Sequence, residues 1–226
     1  MNNEDILRHI DHTLLKAISS WAEIEKLCGE AIRFKTASVC IPPSYVKSIH
    51  SVYRNELTVC TVIGFPLGYS VSAVKLSEAE TALADGAEEL DMVINLGDIK
   101  NGAFSRVEEE ISALKKAAGK KILKVIVETC YLTMEEKIQL CKIVTSAGAD
   151  YIKTSTGFGT AGAALEDIFL FKEHIGPEVK IKAAGGVKTR EDLEKFINAG
   201  CDRIGTSSAV ALLTGGGVTG SRVAGY

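Results

Sequence analysis

The chain has 226 residues, a formal net charge of −3 and a pI near 5.9. This length fits one barrel domain at the short end of the roughly 200 to 400 residues that such domains span, without room for a second full domain. The charge provides no overall attraction to nucleic acid or to an anionic membrane, so neither is expected as a partner. Hydrophobic residues make up 46% of the chain and aromatic residues only 6%, which favours a core of Val, Ile, Leu and Ala.

The N-terminal segment MNNEDILRHI lacks the basic start and apolar stretch of a signal peptide. No apolar run approaches the roughly 18 residues of a membrane helix. The six cysteines, at positions 28, 40, 60, 130, 141 and 201, contain no C-x-x-C pair, and the four histidines show no metal-ligand spacing. We therefore expect a cytoplasmic protein with reduced thiols, no metal site and no cofactor.

Apolar runs rich in Val and Ile alternate along the chain with longer segments of helical period. Such alternation is typical of βαβ units with a parallel sheet. The predicted strands are, in chain order, HIDHTLL, ASVCI, LTVCTVIGF, EELDMVIN, KILKVIVET, DYIKTST, VKIKAAGG and DRIGTSS. The clearest helix candidates cover residues 20–34, 71–84, 104–118, 133–147 and 189–199.

The ends of these segments carry the expected capping and turn residues. Thr133 and Thr189 are followed three residues later by Glu136 and Asp192, which predicts two helix N-caps. The segments ADGAEELD, SAGADYIK and NAGCDRIG each place a glycine between a helix and a strand. This repetition predicts an α/β fold of the TIM (β/α)8-barrel type, one domain over residues 1–226, with an open doubly wound sheet as the alternative. The glycine-rich segment from about residue 215 is expected to be a flexible tail.

Several predicted strands carry charged residues on the side that faces away from the helices. Side chains alternate along a strand, so if Leu90 and Met92 face the helices, Asp91 points into the barrel. The same alternation places four more charged residues inside, namely Asp11, Lys124, Lys153 and Lys182. Burying unpaired charges costs several kcal/mol even after relaxation, so an interior cluster requires a reason. Catalysis is the favoured reason, and an ion-pair network that only closes the barrel is the alternative.

Two of these lysines suit the formation of an imine. A lysine attacks a carbonyl only as the neutral amine, so its ordinary pKa of about 10.4 must be lowered. Lys153 and Lys182 end adjacent strands, roughly 5 Å apart across the sheet, where one ammonium disfavours the other. Asp91 is expected to shuttle protons together with Lys182, and Lys124 to keep that carboxylate ionised. Alternation alone does not decide which lysine reacts, although the hydroxyl residues 154–156 favour Lys153.

Three strand ends run into small or hydroxyl residues, which expose backbone N–H groups. In barrels, phosphate often binds to the loops after strands seven and eight, at the N-terminus of a short helix. The segment SSAVALL predicts such a helix. A small phosphorylated substrate is therefore expected at these strand ends, which carry Thr156 and Gly157, Gly185 and Gly186, and Ser207 and Ser208.

Taken in order, the segments IDHTLLKA, SVCIPP, VIGFPLG, ELDMVINLG, KVIVET, YIKTSTGF, KAAGGV and RIGTSS closely resemble the deoxyribose-phosphate aldolase family, nearly end to end. The resemblance implies reversible cleavage of 2-deoxy-D-ribose 5-phosphate into D-glyceraldehyde 3-phosphate and acetaldehyde, in deoxyribonucleoside catabolism. It also implies a metal-free mechanism in which Lys153 forms a Schiff base, Lys182 lowers the pKa of Lys153 and Asp91 relays protons. A proton-transfer role for the terminal Tyr226 and a homodimer or homotetramer are further implications.

Other functions share these sequence features. A sugar-phosphate isomerase or a transaldolase-like transferase also needs a barrel and a phosphate site, and a transaldolase also forms an imine. A non-catalytic sugar-phosphate sensor is the third alternative. The buried lysine pair argues against the sensor, because a sensor gains nothing from a neutral amine.

Overall fold

The computed structural model describes residues 1–215, and the predicted tail with Tyr226 lies outside the described residues. Eight parallel strands follow one another around a closed barrel, and the last strand pairs with the first. The strands are β1 Ile10–Thr13, β2 Ser38–Ile41, β3 Val59–Ile63, β4 Glu89–Val93, β5 Ile122–Ile126, β6 Tyr151–Lys153, β7 Lys180–Ala184 and β8 Arg203–Thr206. The predicted (β/α)8 barrel is therefore confirmed, and the closure between β8 and β1 excludes the open sheet.

Helices connect the strands on the outside of the barrel. The longer ones are α2 Trp21–Phe34, α3 Val46–Tyr53, α4 Ser72–Ala84, α6 Phe104–Ala118, α7 Met134–Ser146, α8 Leu165–His174 and α9 Arg190–Ala199. The short helices are α1 Asn3–Leu7, α5 Leu96–Lys100 and α10 Ala209–Thr214, and single 3-10 turns cover Pro43–Tyr45, Arg54–Glu56 and Thr129–Tyr131. Among residues 1–215, no helix combines the length and the apolar character needed to cross a bilayer.

The five predicted helices are confirmed, and each end agrees to within one residue. Thr133 and Thr189 are N-caps, and each forms a reciprocal capping box with the acidic residue three positions later. Helix α8 was not among the candidates, because it carries apolar residues on more than one face and Phe169 stays exposed. Helix α3 directly follows a proline-rich turn that obscures its start.

Glycines end three of the helices as predicted. Gly86, Gly148 and Gly200 have φ values of 109°, 72° and 113°, which a side chain disfavours. Each glycine turns the chain back toward the barrel, where the next strand starts within a few residues.

Apolar residues pack in two places, on either side of the strands. The large core lies between the sheet and the helices, and it includes Leu90 and Met92. A small cluster consists of Leu15, Cys40, Cys60 and Val62, with Phe65 packed against it. Barrel interiors are usually filled by bulky branched side chains. Here the strands β4 to β8 instead contribute charged groups, which form the candidate site.

Candidate active site

The four charged residues that the alternation pattern directed inward on β4 to β7 meet in one buried cluster. Asp91 is the Cα partner of Lys124 across β4 and β5, and Lys153 is the partner of Lys182 across β6 and β7. Lys153 is 2% exposed and the other three are fully buried. The predicted inward orientation is thus confirmed. Lys180, by contrast, is exposed at the start of β7.

Asp91 lies at the centre of the cluster and divides its partners between two oxygens. Oδ2 accepts hydrogen bonds from Lys153 Nζ at 2.7 Å and from Lys182 Nζ at 2.6 Å. Oδ1 accepts from Lys124 Nζ at 2.9 Å and from the Cys60 thiol at 3.1 Å. Burial alone raises the pKa of Asp91, but Lys124, Lys153 and Lys182 together lower it well below its usual value. The carboxylate is therefore ionised.

Asp11, from β1, forms the second carboxylate of the cluster. Its Oδ2 lies 2.5 Å from Lys182 Nζ and 3.5 Å from Lys124 Nζ, and the Arg203 guanidinium donates to Oδ1. The Oδ2 contacts are ion pairs without hydrogen-bond alignment. Burial raises the pKa of Asp11, while Lys182, Lys124 and Arg203 lower it further than burial raises it. Asp11 thus points into the barrel as predicted, and it contacts Lys182 rather than Lys153.

Lys182 and Lys124 are both held as cations. Burial lowers the pKa of Lys182, but Asp11 and Asp91 raise it above the ordinary lysine value. Burial likewise lowers the pKa of Lys124, and Asp91 with its other anionic neighbours raises it well above that value. One of these neighbours is Glu89, whose Oε2 forms an ion pair with Lys124 Nζ at 2.6 Å. Lys182 is therefore an ammonium, as its predicted role demands. That role is to disfavour a second positive charge at Lys153.

Ion pairs link the charged groups of the barrel interior into one network. Four cationic groups, Lys124, Lys153, Lys182 and Arg203, are linked by ion pairs to three carboxylates, Asp11, Glu89 and Asp91. Within the described part of the chain, Lys153 has a single ion pair, with Asp91, and it shares that carboxylate with both other lysines. Lys153 thus has fewer ion pairs than Lys124 or Lys182.

The hydroxyl residues after β6 are held by their neighbours, with one exception. The Thr154 hydroxyl accepts from Ala184 N at 3.1 Å and so links β6 to β7. Thr156 donates its backbone N–H and its hydroxyl to the buried carboxyl group of Glu128. Ser155 Oγ, two residues beyond Lys153, is buried without a hydrogen-bond partner among the described residues. This hydroxyl is thus available to a water or to a substrate oxygen.

Glu128 is a site residue that the sequence analysis missed. It lies just beyond β5, and its backbone is in the left-handed region at φ 54°, a conformation that costs free energy for a residue with a side chain. Burial raises the pKa of Glu128, although Thr156 and Lys153 counteract the effect. The signal that could have found it is its place in the predicted strand KILKVIVET, where strict alternation puts positions 124, 126 and 128 on one face.

The predicted phosphate residues lie on loops that contact one another. Gly157, Gly185 and Gly186 have φ values of 86°, 78° and 78°, so all three adopt the left-handed region. A Cβ on Gly185 would lie 3.4 Å from Gly157 Cα, which shows how closely the loops after β6 and β7 approach.

The β8 end completes this side of the barrel. Ser207 is exposed, and Ser208 Oγ lies 3.1 Å from Thr206 Oγ1. Thr206 also donates to the carbonyl of Val187, just beyond Gly186. The short helix α10 begins at Ala209, where SSAVALL predicted it.

Sequence spacing also missed four other residues of the interior. Glu89 and Arg203 begin β4 and β8 and share ion pairs with each other, with Lys124 and with Asp11. Cys60 contacts Asp91, and the sulfur atoms of Cys40 and Cys60 lie within 4.8 Å of each other and of an Asp91 oxygen. The expected absence of a metal site stays a prediction. Spacing along the chain does not detect residues that adjacent strands bring together.

A closed barrel that holds a buried lysine beside an ionised carboxylate has the groups that an imine-forming lyase needs. Residues 6–218 match the sequence profile described as DeoC/LacD family aldolase. The chain belongs to this family and is a lyase.

Two curated relatives carry the name deoxyribose-phosphate aldolase. The protein from Clostridium botulinum (strain Eklund 17B / Type B) is 65% identical over 215 residues, which are 95% of this chain and 97% of the relative. The protein from Clostridioides difficile (strain 630) is 57% identical, covering 92% of this chain and 95% of the relative.

Solved structures of aldolases share the fold along nearly the whole chain. The tetrameric deoxyribose phosphate aldolase from Aeropyrum pernix is 34% identical with a TM-score of 0.88, over 94% of this chain and 91% of its own. The structure described as QR15, an aldolase, is 40% identical with a TM-score of 0.89, over 93% of this chain and 95% of its own.

Proposed function

We propose that the protein is a deoxyribose-phosphate aldolase that cleaves 2-deoxy-D-ribose 5-phosphate through a Schiff base on Lys153. The observation on which this proposal mainly rests is the contact of Lys153 Nζ with Asp91 Oδ2 at 2.7 Å, beside the cationic Lys182. The names of relatives at 65% and 57% identity support the choice of substrate.

The first step requires a neutral amine at Lys153. We assign to the Lys182 ammonium, which shares Asp91 Oδ2 with Lys153, the role of disfavouring a second positive charge there. The amine attacks the C1 aldehyde of the sugar, and water leaves as the iminium forms. The unpartnered Ser155 hydroxyl is the group available to bind this oxygen as it departs.

The iminium then draws electrons from the C2–C3 bond. A base takes the proton of the C3 hydroxyl, the C2–C3 bond breaks, and glyceraldehyde 3-phosphate leaves behind an enamine on Lys153. Protonation of C2 and hydrolysis of the imine release acetaldehyde and restore the amine. Asp91 Oδ2 contacts both lysine amines, so it is placed to move protons between Lys182 and the reacting carbons.

The phosphate of the substrate is proposed to bind at Gly157, Gly185, Gly186, Ser207 and Ser208. The left-handed glycines let the backbone approach an anion closely, and the serines add hydroxyl donors. These residues follow β6, β7 and β8, so the proposed phosphate position is at the same end of the barrel as Lys153, the last residue of β6.

The test is borohydride reduction of the protein mixed with acetaldehyde, followed by peptide mass spectrometry. The native chain is expected to carry an ethyl adduct on the Lys153 peptide, and Lys153→Met is expected to lose both adduct and cleavage. Lys180→Met, an exposed lysine on the adjacent strand, serves as the matched control and keeps both. An unmodified Lys153 peptide in a protein that still cleaves the substrate contradicts the mechanism. An adduct from ketose donors alone identifies a transaldolase instead.

We further propose that the enzyme acts in the cytoplasm as a homodimer or homotetramer. The six cysteines are free thiols, which fits a reducing compartment. The tetrameric relative from Aeropyrum pernix supports the assembly. Light scattering of the purified protein measures the number of subunits, and a monomer overturns this proposal.

A further inference from the structure

Two buried thiols lie beside the central carboxylate of the site. Cys40 and Cys60 are Cα partners across β2 and β3, and both pack in the small interior cluster with Leu15 and Val62. Cys60 donates to Asp91 Oδ1 at 3.1 Å. The proposed aldolase mechanism uses neither thiol.

These three side chains offer a ligand set for a soft divalent ion. Both sulfur atoms and one oxygen of Asp91 lie within 4.8 Å of one another. A tetrahedral zinc ion with bonds of about 2.3 Å to sulfur and about 2.0 Å to oxygen holds its ligand atoms roughly 3.5 to 3.8 Å apart. Cys60 Sγ lies 3.1 Å from Asp91 Oδ1, and the ligand atoms of the set lie within 4.8 Å of one another, so side-chain movements of about 1 Å bring them to three corners of a tetrahedron. Thiolate ligands favour Zn²⁺ and Cd²⁺ over Mg²⁺ or Ca²⁺.

The surrounding ammonium groups do not prevent binding of such an ion. Each thiol releases its proton when it becomes a ligand, so one divalent ion replaces two protons and the total charge of the cluster stays the same. Asp91 is already ionised beside its lysines. The ion replaces Lys124 at two ligands, Asp91 Oδ1 and Cys60 Sγ, which Lys124 Nζ contacts at 2.9 Å and 3.3 Å. Lys124 keeps its contact with Glu89 at 2.6 Å.

We propose that Cys40, Cys60 and Asp91 form an inhibitory binding site for a soft divalent metal ion such as Zn²⁺ or Cd²⁺. The bound ion withdraws electron density from Asp91 and weakens the proton acceptor at Oδ2, which contacts Lys153 and Lys182. Inhibition rests on the proposed function, whereas binding does not.

Binding is tested by titrating the reduced, metal-stripped protein with Cd²⁺ and recording the ultraviolet charge-transfer band of cadmium thiolates. The expected result is an end point at one ion per chain in the native protein. Cys40→Ser and Cys60→Ser each lose that end point. Cys141→Ser, a buried cysteine in the outer core, serves as the control and keeps it. No band in the native protein, or unchanged end points in both site variants, overturns the site.

A second measurement needs no variant and so does not depend on how the substituted chains fold. X-ray absorption at the zinc edge of the loaded native protein is expected to show two sulfur scatterers at about 2.3 Å together with oxygen at about 2.0 Å. A shell of nitrogen and oxygen alone overturns the site. Stoichiometric Cd²⁺ is also expected to block cleavage of deoxyribose 5-phosphate, and full activity of the loaded enzyme overturns inhibition while leaving the binding result intact.

Discussion

Asp91 uses its two carboxylate oxygens for different tasks. Oδ1 faces Lys124 and Cys60, and Lys124 is itself fixed by further carboxylates, so this side anchors the side chain. Oδ2 faces Lys153 and Lys182, which are the two amines proposed to take part in the chemistry. A symmetric anion thereby acts both as a structural partner and as a proton acceptor.

Asparagine at position 91 keeps the size of the side chain and removes its negative charge, so this variant tests the charge alone. The neutral amide leaves three buried cations without their shared counterion, so the free energy of unfolding is expected to fall by about 3 to 5 kcal/mol. Loss of the proton acceptor is expected to reduce kcat/KM by roughly 10²- to 10⁴-fold. Urea unfolding and a coupled retro-aldol assay measure the two effects.

The comparison variant is Asp11→Asn, which removes a carboxylate equally buried in the same cluster. Asp11 contacts Lys182 and Lys124 but does not take part in the ion pair of Lys153. Its loss is expected to reduce stability to a similar extent, with a smaller loss of kcat/KM. Equal kinetic losses in the two folded variants would show that Asp91 acts only by holding the cluster together.

At the scale of elements, the loops after β6 and β7 are held against each other at Gly162. Its position has almost no space for a side chain, because a Cβ there would lie 2.3 Å from the carbonyl oxygen of Gly185. Ala163 N donates to that same carbonyl at 3.1 Å. The proposed phosphate-binding amides of Gly185 and Gly186 therefore depend on close packing between two backbones.

Gly162→Ala is expected to displace the loop after β7 and to impair phosphate binding. A shift of a few tenths of an ångström to 1 Å at a positioning group costs up to roughly 10²-fold in kcat/KM for deoxyribose 5-phosphate. The unphosphorylated sugar 2-deoxyribose is expected to lose much less, because it does not use those amides. Steady-state assays with both substrates measure the ratio.

The matched control is Gly29→Ala, since nothing lies within 4 Å of a Cβ at that helical position. It is expected to leave both substrates unaffected. An equal loss on both substrates in Gly162→Ala would place the defect in the imine chemistry and contradict the role of this loop in phosphate binding.

At the scale of the whole molecule, regular alternation allowed most of the barrel to be predicted. Each strand from β4 to β7 has apolar residues on its helix-facing side, so the charged residues in between were correctly assigned to the interior. Glu128 was not predicted, because it lies one residue past the apolar run that defines β5. It also missed the Cys40 and Cys60 pair, because register between β2 and β3 is a property of the closed sheet. The distances between the interior side chains, and their protonation states, depend on contacts between segments that are far apart in the sequence. The sequence pattern therefore could not predict them.

The interior cluster also links the stability of the whole molecule to pH. The pKa values of Asp11 and Asp91 are lowered in the folded protein, so only the unfolded chain takes up these protons as the pH falls below about 5. Their stabilisation is therefore present above the unfolded value of about 4 and is lost as the pH falls toward the folded values. The raised pKa values of Lys124 and Lys182 have the opposite sign, and their stabilisation is lost only above about pH 10.4.

Urea unfolding between pH 3 and pH 8 is expected to show a free energy that declines steeply below about pH 5, by up to roughly 1.4 kcal/mol per pH unit for each carboxylate. The Asp91→Asn variant starts from a lower stability, but it has one fewer interior carboxylate that only the unfolded chain protonates. Its decline below pH 5 is therefore expected to be shallower by up to the slope of one proton. The exposed variant Lys180→Gln should follow the native slope. Parallel slopes in the native protein and in Asp91→Asn would mean that Asp91 is not held ionised by its three lysines, and the proposed proton acceptor would then lose its physical basis.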